Sequence, residues 1–191
     1  MLVDAESGDF DSVSIDYGGA VAMATRHLLA LTRTTTVLVT PSAHFGTDFE
    51  LLAPEQARLE SMRDRFAKTA RSYPVPWECI EVSPDEPRKH ELERIRQRLA
   101  AGPLNLVVAG EKLAARLSEA NRNEENRLRL VSIGDDEVLR VAGISAVDLP
   151  TEAVGRTAVE MMTDHIYGDP RERRQLRLGG ILRRRLGSGG G

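Results

Sequence analysis

Cysteine is almost missing from this sequence: Cys79 is the single one in 191 residues. One thiol cannot build a disulfide framework, so the fold must rest on burial, and the composition fits a reducing compartment such as the cytoplasm. Cys79 lies in an apolar run with no histidine or cation pattern around it, which reads as a small buried hydrophobe rather than a nucleophile. A positive excess is missing too. The 26 Lys and Arg face 29 Asp and Glu for a net charge of -3, which excludes the broad positive field of a free-standing nucleic-acid binder. No run reaches the roughly 18 uninterrupted apolar residues of a membrane span. Met1 leads into "LVDAESGDF" without the basic start and apolar stretch of a secretory leader, so no membrane partner is expected. The histidines His27, His44, His90 and His165 are scattered without ligand spacing, and neither a CxxC pair, a P-loop nor a GxGxxG is present. Neither a metal nor another cofactor is expected.

What the sequence does contain is 41% hydrophobic residues in a clear rhythm. Short β-branched runs read as strands at Val13–Ile15, Thr36–Val39, Glu78–Val82, Leu104–Ala109, Leu128–Ile133 and Gln175–Arg183. Between them lie stretches of helical period. Ala20–Leu31 is apolar on most sides. Glu55–Arg71 sets Leu59, Met62, Phe66 and Ala70 on one stripe, and Arg88–Ala101 does the same with Leu92, Ile95 and Leu99 before stopping at Gly102-Pro103. Thr151–Tyr167 is read as a helix with Val154, Ala158, Met161, Met162 and Ile166 inward. Alternating strands and helices with short connections imply an α/β fold, because parallel strands need helical crossovers. In such sheets ligands bind beyond the carboxyl ends of the strands. "VSIGDDE", Val131–Glu137, places a glycine and three acids at one of those ends.

Several segments, in order, resemble one family. They are "VSIDYGGAVAMATRHLLAL", "TVLVT", "ARLESMRDRFAKTA", "ISAVDLPTEAVGRTAVEMMTDHIYGDP" and the ending "ILRRRLGSGG". In order and spacing they are similar to the effector-binding part of the LacI/GalR family of bacterial transcriptional repressors. The resemblance implies a two-lobed periplasmic-binding-protein-like fold with parallel sheets flanked by helices and a small, sugar-like effector in the cleft. It also implies a homodimer, and operator DNA held by an N-terminal helix-turn-helix. That helix-turn-helix and the opening βα units have no counterpart in these residues, so the first lobe is expected to be incomplete. The expected division is residues 1–35 as a remnant of the first lobe and 36–148 as the second lobe. A helix at 149–170 then returns to the first lobe, and a final strand and tail occupy 171–191.

Six residues are candidates for effector contact, and each has a plainer reading. Asp135 and Asp136 match the family's paired aspartates after an aromatic residue; a carboxylate suits adjacent hydroxyls because both oxygens accept hydrogen bonds. The alternative is a solvated turn. Either Gly134 replaces the aromatic or the glycine is retained and the aromatic is deleted. Arg58 falls on an arginine whose fork can grip a carboxylate, phosphate or diol, or it is a surface charge in the alternating "RLESMRDR". There Ser61 and Met62 stand in place of a glycine and an aromatic. Glu111 sits at a strand's end, where a helix dipole also stabilises an acid, and Gly110 removes an amide that the resemblance implies before it. Asp16 ends a strand and would cap the next helix whether or not it meets a ligand. Phe45 in "TPSAHFGTDF" could stack on a sugar face; Ser42 and His44 beside it lack the glycine elbow of a catalytic serine. With aromatics at only 4%, a stacking floor has little material.

Arg171, Arg173, Arg174, Arg177, Arg183, Arg184 and Arg185, interleaved with leucines, read as the wet face of an edge strand. The function expected is therefore effector sensing and dimerisation in a LacI/GalR-type regulator, not catalysis. A small-ligand binder without regulatory output, or an α/β enzyme using the Ser42–His44 loop, are the alternatives.

Overall fold

A computed structural model of the chain describes residues 2–3, 11–42, 44–45, 49–50, 53–83, 89–124, 127–167 and 173–185. In chain order the elements are β1 (Leu2–Val3), β2 (Ser12–Ile15), α1 (Tyr17–Leu31), β3 (Thr35–Pro41), β4 (His44–Phe45), β5 (Phe49–Glu50), α2 (Ala53–Ala70) and β6 (Trp77–Val82). They continue as α3 (Lys89–Ala101), β7 (Leu104–Ala109), α4 (Glu111–Ala120), β8 (Leu128–Ile133), α5 (Glu137–Val141), β9 (Ser145–Asp148), α6 (Thr151–Tyr167), β10 (Gln175–Leu178) and β11 (Ile181–Arg183).

The strands form a six-stranded sheet in the order β11-β9-β8-β7-β3-β6 and a three-stranded sheet in the order β1-β2-β10, with β4 and β5 as a small hairpin. All pairings in the larger sheet are parallel except β11 against β9. Its inner strands β3, β7, β8 and β9 are buried on both faces, which is why they read as continuous apolar runs. Alternate residues then serve different cores. Val37, Val39, Leu104, Leu106, Val108, Leu128 and Leu130 join Ile95, Leu99, Leu113, Leu117 and Leu139 on the face covered by α3, α4 and α5. Leu38, Val107, Val131, Ile133 and Val147 face the other way, against α1 and the Leu59–Met62–Phe66–Ala70 stripe of α2. The smaller sheet has a core of its own: Val13 and Ile15 of β2 pack on Val154, Ala158 and Met161 of α6.

The two sheets make the two lobes, and the chain passes between them at Asp16, at Leu149-Pro150 and at Gly179-Gly180. Three expectations are revised here. First, α1 packs on α2 and the six-stranded sheet, so residues 17–31 lie with the second lobe and not with the remnant of the first. Second, Gln175–Arg183 is not one strand. β10 pairs parallel with β2, and after Gly179-Gly180 β11 pairs antiparallel with β9 in the other sheet. Third, Met162 and Ile166 of α6 are 49% and 63% exposed, because the described part of the smaller sheet covers only the Val154–Ala158–Met161 stripe.

Candidate functional site

Asp16, Glu111, Asp135 and Asp136 fall just beyond the carboxyl ends of β2, β7 and β8, whereas Arg58 lies on α2 and Phe45 in β4. Asp16 ends β2 and caps α1, its Oδ1 accepting from the Gly19 N–H at 2.7 Å. Tyr17 follows and packs against both the larger sheet's core and the smaller one's. The guanidinium of Arg58 lies over the Tyr17 ring, 5.1 Å from its centroid, a cation–π contact between α2 and the first turn of α1.

A second group forms where β7 and β8 end. Gly110 and Gly134 have φ of 115° and 103°, a region that strains any residue with a Cβ. A Cβ at Gly134 would also overlap the Glu111 carboxylate, which leans across it from the first turn of α4. A glycine is therefore required by the backbone at 134, and an aromatic could not stand there without displacing Glu111. This favours the reading in which the glycine is kept and the aromatic is the residue missing.

Asp135 comes next, with a side chain only 6% exposed. Its Oδ2 accepts from Arg185 Nη2 at 2.6 Å and has Arg140 Nε at 4.0 Å, while Oδ1 is buried without a hydrogen-bond partner. Arg185 is held in turn: its Nη1 donates to the Ile144 carbonyl at 2.6 Å and its backbone N–H to Ser145 Oγ at 3.0 Å. Asp136 points elsewhere and caps α5, accepting from the Leu139 N–H at 2.9 Å. The backbone of Phe45 pairs with Phe49 in the β4–β5 hairpin, and its side chain lies outside the described residues, as does that of His44.

Two residues that matter here carried little sequence signal. Tyr17 is an aromatic directly after a strand-ending aspartate, which is the clue that was available. Arg185 belongs to the arginines read as a wet edge, and it departs from that reading: Arg173, Arg177, Arg183 and Arg184 are exposed, whereas the Arg185 side chain is 16% exposed. The interleaved pattern does not distinguish an arginine facing water from one folded back on an acid fifty residues away in sequence.

Chemically the arrangement can accept and donate hydrogen bonds, and nucleophilic or metal chemistry has no support in it. Burial pushes the Cys79 thiol up, with Glu78 and Glu81 adding to the rise against the pull of Arg63. Among the described residues no group of three or more His, Cys, Asp or Glu is arranged to hold a metal ion, and no helix is long and apolar enough to cross a membrane.

The model of a periplasmic binding protein-like domain matches residues 25–185, most of the chain. The chain belongs to the periplasmic binding protein-like domain family. No curated protein matches its sequence. Among solved structures, this periplasmic binding protein-like chain is similar to a LacI family transcriptional regulator from Enterococcus faecium with bound ribose, at 17% identity and a TM-score of 0.72, over 96% of this chain and 67% of that one. A LacI transcriptional regulator from Lactobacillus brevis gives 15% identity and a TM-score of 0.72, over 95% of this chain and 68% of that one. A xylose-binding transcription activator gives 12% identity and a TM-score of 0.72, over 93% of this chain and 48% of that one. Identities this low carry the fold, and the chain spans about two thirds of the length of the first two.

Proposed function

We propose that this chain is the effector-sensing and dimerising domain of a LacI/GalR-type transcriptional regulator that responds to a sugar or a similar polar small molecule. The observation that carries the proposal is the pair of sheets joined by three chain passages. A molecule bound across such a junction changes the angle between lobes if its affinity for the two arrangements differs. The likeness in fold to a regulator with bound ribose and to a xylose-binding activator supports the sugar class. Operator contact, in this reading, falls to a helix-turn-helix beyond these 191 residues, which would set two such readers at the spacing of the half-sites.

The effector contacts proposed are Asp135, Arg58 and Glu111, with Tyr17 as the ring beneath Arg58. Asp135 Oδ1 is an acceptor awaiting a donor, and a buried acceptor without one costs about 1–3 kcal/mol. A ligand hydroxyl would recover that cost. Asp16 and Asp136 act through the helices they cap, and Phe45 is kept as a candidate for stacking. A thermal-shift and calorimetric series over D-ribose, D-xylose and common hexoses, on the wild type, Asp135→Asn and Arg58→Ala, tests this. A sugar that stabilises the wild type and loses at least tenfold in affinity in both variants supports the site. Equal binding to both variants would remove the site, and no shift with any sugar would remove the sugar class.

A further inference from the structure

A concavity lies in the groove between α1 and α2. It has a volume of about 510 Å³ and is lined by Arg26, Arg65, Lys68, Thr69, Ser72 and Tyr73. The two helices run close where α1 begins: a Cβ at Gly18 would sit 3.3 Å from Ser61 Oγ and 3.4 Å from Arg65 Cβ. Both helices start near the carboxyl ends of the strands, and the groove opens toward their far ends, just before α2 gives way to the turn at Arg71–Ser72. None of the six candidates for effector contact is among its lining residues.

Its charge is one-sided. Arg26, Arg65 and Lys68 are exposed and converge on one hollow, with Asp64 as the acid paired to Lys68 at 2.8 Å. Lys68 alone needs no ligand, since a cation in the last turn of a helix is stabilised by the helix dipole. The same argument does not reach Arg26, which comes from the neighbouring helix. Several arginines are matched: Arg63, two residues from Arg65, bonds Thr40 and Glu81, and Arg98, Arg156, Arg174, Arg183 and Arg185 each pair with an acid. Among the described residues Arg26 and Arg65 have no such partner. Two guanidinium forks and an ammonium around one hollow repel each other and fit an oxyanion, which two planar forks can hold by paired hydrogen bonds. The hydroxyls of Thr69 and Ser72 are already donated to the carbonyls of Arg65 and Lys68, so specificity would rest on the cations.

We propose that the Arg26–Arg65–Lys68 hollow is an anion site for a phosphate group, as inorganic phosphate or as the monoester of a small molecule. Its volume suits a small ligand, and the chain's net charge of -3 disfavours an extended polyanion. The proposal is independent of the sugar site and stands or falls separately.

The test is isothermal titration and thermal shift with sodium phosphate against sodium chloride at matched ionic strength. The proteins compared are the wild type, the double variant Arg26→Gln/Arg65→Gln, Lys68→Gln, and Arg33→Gln. Arg33 is exposed and outside the hollow, so its variant controls for the loss of one charge. Phosphate is expected to raise the melting temperature of the wild type and of Arg33→Gln beyond the chloride effect. The double variant should bind at least tenfold more weakly, and Lys68→Gln should fall between. No phosphate effect beyond chloride, or an equal effect in the double variant, overturns the proposal. So does a stronger response to a short DNA duplex than to phosphate at equal phosphate concentration.

Discussion

At Asp135 a single buried carboxylate serves two directions, holding Arg185 through Oδ2 and leaving Oδ1 without a donor. Removing it strands a largely buried guanidinium, and breaking such a pair costs about 3 kcal/mol. Asp135→Ala is therefore expected to lower the unfolding free energy in urea by about that amount. Asp135→Asn should cost less because it keeps an acceptor. A cost within measurement error for both would show that the pair does not hold the segment after β11 to the larger sheet. His27 on α1 gives the second expectation at this scale. Burial pushes it below its ordinary value of 6.5, and the Arg184 cation adds to the shift. The folded protein thus keeps His27 neutral where the unfolded chain protonates it. Its contribution is complete above pH 6.5 and is lost as pH falls from there toward the lower folded value. In melting curves taken at falling pH, His27→Gln should show a shallower loss of stability below 6.5 than the wild type; parallel curves would refute the shift.

Elements rise or fall here on where the chain changes sheets. β10 and β11 are separated only by Gly179-Gly180, and the second glycine is pressed into the larger sheet. A Cβ at Gly180 would lie 2.7 Å from Val147 Cγ1 and 2.9 Å from the Asp148 carbonyl oxygen. Overpacking of that kind costs about 1–3 kcal/mol. Gly180→Ala is expected to lower stability by about that much, while Gly179→Ala, with open space around its Cβ position, should stay within about 0.5 kcal/mol. Equal melting temperatures for the two variants would contradict this packing. The glycine pair was visible in "QLRLGGILR", and its meaning was not: alternation along the whole segment is the same whether the strand continues in one sheet or passes to another. Interior helices were more readable. The stripe of α2 is buried where periodicity put it, since that face meets a complete sheet. On α6 the stripe is narrower than expected because the described strands beneath it are fewer.

For the whole molecule, the two cores differ in size. The larger sheet is buried on both faces by five helices, whereas the smaller rests on α6 and a handful of apolar side chains. Opening free energy follows the apolar surface that must be exposed. Amide hydrogen exchange is therefore expected to be faster in β2 and β10 than in β7 and β8, by at least tenfold. Equal protection would mean that the sheets unfold as one unit. The same imbalance bears on ligand response, because a molecule that bridges the lobes should protect the smaller sheet more than the larger one.

The sequence by itself determined the α/β class, the strands Leu104–Ala109 and Leu128–Ile133, the helix Thr151–Tyr167 and the inward stripe of α2. It could do so because period and turn chemistry are local properties of the chain. It also placed acids at strand ends, where ligands of such folds collect. Only the tertiary structure decided which sheet α1 joins, where the last strand divides, and that Arg185 reaches Asp135. Those facts depend on which distant segments come to lie side by side, and a pattern that repeats every two or every 3.6 residues holds no record of that.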